Sequence, residues 1–226
     1  MQSYFFTGTD TDVGKTVITS GFARAFSNLG FDIGVMKPFA AGKKHNSKFQ
    51  SEDAELLAKA ARVNDPEELI NPQFFPIPAS PYTASLNLGL SVNLELIHSK
   101  FNELMKIHDY LLIEGMGGIM APILKNYYVA DLIRDFKLST IIVTRTKIGT
   151  INHAIMTIRQ CKTYGLDIKG FIINDFDHDG YPNSELKRDL EDLTGVPVLG
   201  VVPKFDSLEI ESISKYISDN FDLSKF

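Results

Sequence analysis

The residues best suited to chemistry gather in Thr7-Gly8-Thr9-Asp10-Thr11-Asp12-Val13-Gly14-Lys15-Thr16, which follows the apolar run Tyr4-Phe5-Phe6 and leads into a helical pattern. A strand, a glycine-bearing loop and a helix opening on Gly-Lys-Thr make a phosphate cradle. Free amides at the helix start point at phosphate oxygens, the helix dipole favours the anion, and Lys15 reaches the terminal phosphates. The Thr16 hydroxyl is then placed to meet Mg²⁺. Five residues rather than the usual four separate Gly8 from Gly14, so Thr9 stands where the first glycine of the common spacing would be.

Other groups could serve the same phosphates. Glu114 follows the apolar Tyr110-Leu-Leu-Ile113 and precedes Gly115-Met116-Gly117-Gly118, a carboxylate beside closely approachable backbone. Magnesium takes one or two carboxylates together with phosphate oxygens, so Thr16, Glu114 and one further acid suffice. Asp53 is the choice for that acid, although a carboxylate at a helix start is equally explained by the dipole. Lys37 ends a strand and precedes Pro38, which holds the chain extended and aims the ammonium toward the site of Lys15. A strand-end lysine taken singly more often runs to solvent. Ile148-Gly149-Thr150-Ile151-Asn152-His153 leads from a strand into a helix whose free amides could hold a second anion, such as a substrate carboxylate. Asn152 and His153 could line that pocket, while a lone helical histidine is more often a packing residue.

Three features are set aside. Asp175-Phe-Asp177-His-Asp179-Gly180 imitates a calcium loop, but Leu186 occupies its twelfth position and Pro182 interrupts it. Lys43-Lys44-His45 reads as a solvated turn. The one cysteine, Cys161, lies in a helical pattern and reads as a small buried hydrophobe.

Such groups need a scaffold that brings strand ends together. Strands are expected at Ser3–Phe6, Ile33–Met36, Tyr110–Ile113, Thr140–Thr144, Ile168–Ile173 and Val198–Val202. Helices are expected at Lys15–Leu29, Glu52–Arg62, Asn93–His108, Thr150–Tyr164, Asn183–Leu193 and near Leu208–Asn220. Continuous apolar strands alternating with amphipathic helices predict a doubly wound, mainly parallel α/β sheet of three layers, with ligands outside the carboxyl ends of the strands. The irregular, proline-rich stretch Asn71–Leu90 reads as a long structured connection rather than a domain linker. At 226 residues one domain, 1–226, is the default. The net charge of −5 is spread without a basic block, which argues against nucleic acid or an anionic membrane as partner. With no signal segment and no long apolar run, an intracellular, cytoplasmic protein is expected.

Together these residues resemble the dethiobiotin synthetase family, whose members close the ureido ring in biotin biosynthesis. The markers are Gly8 to Thr16, Lys37-Pro38 with Gly42, Asp53-Ala54, Glu114-Gly115 with Gly117-Gly118, Gly149-x-Ile-Asn-His153 and Asn174-Asp175. The resemblance implies a P-loop NTPase-like fold that uses ATP and Mg²⁺. It implies that Asp12, Val13, Gly14, Lys15, Thr16 and Val17 wrap the phosphates, that Thr16, Asp53 and Glu114 serve the metal, and that Lys37, with Lys15 and Thr11, is catalytic. Gly115, Met116, Gly117 and Asp175 would join the nucleotide site. Asn174 would recognise adenine, with Pro203, Lys204 and Phe205 completing the base pocket. The substrates implied are 7,8-diaminononanoate, CO₂ and ATP. Ala41 lies in the substrate region, and Gly149, Thr150, Ile151 and Asn152 would meet the substrate carboxylate in a homodimer whose second subunit closes the pocket.

Two departures stand out: Ala41 replaces the family's usual hydroxyl residue, and Asp12 its frequent Glu. Two rivals share the nucleotide-binding half. A corrinoid-amidating ligase needs a glutamine-hydrolysing domain with a reactive cysteine. A partitioning ATPase of ParA/MinD type, a nucleotide-dependent dimerisation switch, typically has a signature lysine where this loop holds Asp10.

Overall fold

The computed structural model describes residues 3–45, 47–175, 177, 179–205, 207 and 209–226. The chain opens with β1 (Tyr4–Gly8), α1 (Lys15–Asn28), β2 (Ile33–Met36), β3 (Phe39–Ala41), α2 (Glu52–Ala61), α3 (Glu67–Ile70), β4 (Gln73–Phe75), α4 (Pro81–Leu88) and α5 (Leu94–Ile107). It continues through β5 (Tyr110–Gly118), β6 (Pro122–Leu124), β7 (Tyr127–Tyr128), α6 (Val129–Phe136), β8 (Ser139–Arg145) and α7 (Thr150–Thr163). It closes with β9 (Ile168–Asp175), α8 (Asn183–Thr194), β10 (Val198–Pro203) and α9 (Ile210–Asn220).

Six strands form one sheet in the order β10-β9-β8-β1-β5-β2, and every pairing in it is parallel. Successive side chains of a strand face opposite sides. Thus Phe5 enters one core with Ile97, Leu104, Ile158 and Leu190, while Phe6 enters the other with Phe22, Leu57 and Ile213. Helices α5, α7 and α8 therefore cover one face and α1, α2 and α9 the other. This is the expected three-layer α/β architecture, and it lines up the carboxyl ends of β1, β2 and β5 along one edge.

The helices begin where the sequence supplies caps. Ser51 accepts from Ala54 N ahead of α2, whose first turn carries Glu52, Asp53 and Glu55. Asn93 caps α5 by accepting from Leu96 N, and Ile97, Phe101 and Leu104 form its buried stripe.

Two expectations are corrected. The strand holding Glu114 does not end at Ile113 but runs to Gly118, which pairs opposite Gly8 of β1. The stretch 71–90 is not irregular throughout: it contains β4, parallel to β3, and α4, capped by Ser80 with Pro81 in its first turn. The expected start of the last helix, Leu208, lies outside the described residues, as do Phe176 and His178 of the calcium-like run; α9 begins at Ile210.

Candidate active site

The phosphate loop joins β1 to α1, with Gly14 as the left-handed residue (φ 87°) directly before the helix. A Cβ at Gly14 would sit 1.9 Å from Asn174 Nδ2, so only glycine suits both the turn and the neighbour. At Gly8 a Cβ would come within 2.7 Å of Asp10 O and 3.0 Å of Lys15 Nζ. The glycine lying one residue early is thus a steric requirement of this wider loop. Lys15 Nζ donates to Asp10 O at 3.0 Å. Burial, the largest cause, pulls the Lys15 ammonium down to about 8, with Lys37 adding to the lowering and Glu114 opposing it.

Lys37, Asp53, Glu114 and Thr16 converge from four different elements or their ends. Lys37 Nζ donates to Glu114 Oε1 at 2.5 Å and lies 2.7 Å from Asp53 Oδ2. Thr16 Oγ1 donates to the same Glu114 oxygen at 2.8 Å. Burial works against the charge on Lys37, but Glu114 and Asp53 hold its pKa above the ordinary value. Burial likewise pushes Glu114 up, against the lowering by Lys37, and it opposes ionisation of Asp53, which Lys37 nevertheless holds below the usual range. Asp53 is therefore both a first-turn carboxylate of α2 and a partner of Lys37.

Glu114 Oε2 is buried with no hydrogen-bond partner, an oxygen that invites a cation. Thr16, Asp53 and Glu114 offer only hard oxygen donors, which suits Mg²⁺. Among the described residues no group of three His, Cys, Asp or Glu is arranged to hold a metal ion. Two carboxylates and a hydroxyl match the way Mg²⁺ is shared between a protein and phosphate oxygens.

These residues line a cavity of about 310 Å³ together with Thr11, Asp12, Val17, Ala41, Met116 and Gly117. Ala41 closes β3 and brings a methyl group there, without a hydroxyl. Gly115 continues β5 beside Glu114. Buried Val13 packs beneath the loop, and Asn174 Nδ2 donates to its carbonyl at 3.0 Å. The structure thus places Asn174 directly behind the phosphate loop. Asp175 accepts from Thr146 and Asn183, while Asp177 is paired with Arg145, so these carboxylates are engaged in hydrogen bonds. Pro203 ends β10, Lys204 follows, and the Phe205 ring meets Tyr216 edge-on at 5.9 Å.

The segment 149–152 is not brought into this cavity. Gly149 (φ 99°) precedes α7, and Thr150 lines a neighbouring cavity of about 160 Å³ with Asp10, Val13, Arg145, His153 and Thr11, the last of which also lines the first cavity. Ile151 is half-buried and Asn152 exposed. A chain of hydroxyls ties the phosphate loop to the start of α7, Thr9 Oγ1 to Thr144 Oγ1 at 3.0 Å and Thr144 to Thr150 at 2.6 Å. His153 Nδ1 lies 3.7 Å from Asp10 Oδ2. Sequence reasoning missed the Thr9-Thr144-Thr150 link; its only signal is a threonine at the carboxyl end of β8, where ligands and loops meet.

Elsewhere, Cys161 is buried and its thiol is pushed up to about 12 by that burial, the chemistry of a packing residue. Lys43 and Lys44 are exposed, and His45 pairs with Glu55 at 2.9 Å. No helix among the described residues is long and apolar enough to cross a membrane.

The wound parallel sheet with a phosphate loop after β1 and a carboxylate on β5 defines a P-loop nucleotide-binding protein. A family model described as an AAA domain matches residues 2–212. Among solved structures, a ParA family ATPase from Chlorobium tepidum aligns with a TM-score of 0.59 at 18% identity, covering 97% of this chain and 98% of that one. The MinD cell division protein of Aquifex aeolicus aligns with 0.54 at 16%, covering 95% and 87%. Those likenesses are of fold. Sequence relatives are more specific: the ATP-dependent dethiobiotin synthetase BioD of Nitrosopumilus maritimus is 57% identical over 223 residues, covering 99% of this chain and 98% of the relative. That of Bacillus subtilis strain 168 is 37% identical over 229 residues, covering 99% and 96%. The chain belongs to the ATP-dependent dethiobiotin synthetase family.

Proposed function

We propose that this chain, acting as one catalytic domain in the cytoplasm, forms dethiobiotin from 7,8-diaminononanoate, CO₂ and ATP, with Lys37 as the central catalytic residue. The observation that carries the assignment of roles is the convergence of Lys37, Glu114, Asp53 and Thr16 beside the phosphate loop. In the family's reaction one amine captures CO₂ as a carbamate, a carbamate oxygen attacks the γ-phosphorus with departure of ADP, and the second amine attacks the carbamoyl carbon and expels phosphate. No protein nucleophile is needed; positioning and charge neutralisation suffice.

Asp12, Val13, Gly14, Lys15, Thr16 and Val17 would hold the phosphates, Lys15 by its ammonium and the others mainly through backbone. Thr16, Asp53 and Glu114 would hold Mg²⁺, which supplies neutralising charge to the transferring phosphoryl group when bound. Lys37, with Thr11 across the cavity, would meet the carbamate. Met116 and Gly117 line the same space and, with Gly115 before them on β5, would join the nucleotide site, while Asn174, Asp175, Pro203, Lys204 and Phe205 would form the base side. Because Gly149, Thr150, Ile151 and Asn152 lie outside the cavity of their own chain, a homodimer is the natural arrangement. The helix start of one copy would receive the substrate carboxylate in the pocket of the other. At Ala41 one hydrogen bond to substrate is absent, a loss of about 0.5–1.5 kcal/mol in binding.

The test is Lys37→Ala. Turnover should fall by about 10²-fold or more while nucleotide still binds, as read by product formation and by titration with ATP. Near-normal turnover would overturn the role of Lys37.

A further inference from the structure

Lys37 reaches the site on a segment that has left the main sheet, so its backbone is held chiefly by the stretch Ile70–Phe75. β3 and β4 pair in parallel with Phe39 opposite Gln73, and extending that register by two residues sets Lys37 opposite Asn71. In a parallel ladder a residue donates to the carbonyl just before its opposite number and accepts from the N–H just after it. The first of these bonds is present, Lys37 N donating to Ile70 O at 2.7 Å. The second requires an N–H at position 72, and Pro72 has none. Asn71 supplies the substitute: its Nδ2 donates to Lys37 O at 2.7 Å and reaches Gln73 O at 3.4 Å. The residue is 5% exposed, so water does not replace the amide there.

We infer that Asn71 is a positioning residue for the reaction: its amide completes the broken ladder at Pro72 and fixes the carbonyl, hence the backbone torsion, from which the Lys37 side chain departs. The inference rests on the reading of Lys37 as catalytic. Pro38 follows Lys37, so the next residue has no N–H with which to anchor this corner. A freed Lys37 carbonyl displaces the root of an ammonium that must stay within bonding distance of Glu114 and the reacting carbamate.

The experiment compares Asn71→Leu, Pro72→Ala, the double variant and Lys37→Ala in the full chain, using product formation and thermal melting. Leucine keeps the shape and removes the donor, so kcat should fall by about 10- to 100-fold while KM for ATP stays within about twofold. In the double variant the new backbone N–H at position 72 takes the place of the lost amide, and kcat should recover to within about threefold of wild type. Two outcomes overturn the proposal: wild-type kcat in Asn71→Leu with Lys37→Ala inactive, or a loss in the folded Asn71→Leu protein that Pro72→Ala does not restore. Normal turnover in Lys37→Ala would instead remove the reading on which the proposal rests.

Discussion

A lysine buried to 4% exposure beside two acids is stable only while the charges remain matched. Lys37 pairs with one oxygen of Glu114 and with Asp53 in this structure, and a divalent cation taking the same carboxylates would leave its ammonium for substrate. Glu114→Gln keeps the shape but removes the anion. That variant should lose most of the thermal stabilisation that Mg²⁺ with ATP confers on the wild type, which is about 2.7 kcal/mol at a ligand concentration a hundredfold above Kd. Equal stabilisation of both proteins in a melting assay would argue against a metal role for Glu114. Lys15 gives a pH signature. Its pKa in the free protein is lowered to about 8 from 10.5, whereas bound phosphate favours the charged form. Nucleotide affinity should therefore hold steady below pH 8 and decline as pH rises above it, with at most about a tenfold loss per unit. Titration of ATP binding from pH 7 to 9.5 checks this, and a flat profile would contradict the assignment.

At the scale of elements, His108 at the end of α5 forms a joint near the amino ends of β2 and β5, away from the site. Its Nδ1 meets Asp32 ahead of β2 at 2.8 Å, and its Nε2 meets Asp65 ahead of α3 at 2.9 Å. Burial opposes the imidazolium, but the bonds to both carboxylates raise its pKa above 6.5. The clasp therefore contributes fully below pH 6.5, and its contribution is lost as pH rises through the raised value. Melting temperatures of wild type and His108→Gln should differ most at low pH and converge at high pH; a pH-independent difference would contradict the charged clasp. The same elements show how far the sequence could be read. The phosphate loop and Lys37-Pro38 were legible because glycine and proline act locally through backbone geometry and lysine carries a charge that must find an anion. The three-residue strands β3 and β4 were not, since such short runs carry no periodicity, and their pairing joins residues more than thirty positions apart. Glycines after Glu114 suggested a strand end, but β5 continues because Gly118 pairs with Gly8 across the sheet. Asn71 had a visible signal, an Asn-Pro, whose meaning appears only once Lys37 lies opposite it.

For the whole molecule, the doubly wound sheet was legible from alternating apolar strands and amphipathic helices, and the family from the order of its motifs. The separation of segment 149–152 from the Lys37 cavity was not, because it depends on how α7 leaves β8. If the carboxylate site comes from a second copy, two inactive variants should complement one another. Mixing Lys37→Ala with Asn152→Trp under conditions that exchange subunits should restore about a quarter of wild-type turnover, since half the dimers are mixed and each holds one intact site. Absence of recovery in verified mixed dimers would place the whole site within one chain. Ligase activity is read by incubating the protein with 7,8-diaminononanoate, bicarbonate, Mg²⁺ and ATP and following the ureido product by mass spectrometry beside phosphate release. Product should appear in step with phosphate, depend on all four components and be lost in Lys37→Ala. ATP hydrolysis without ureido product would contradict ligase activity.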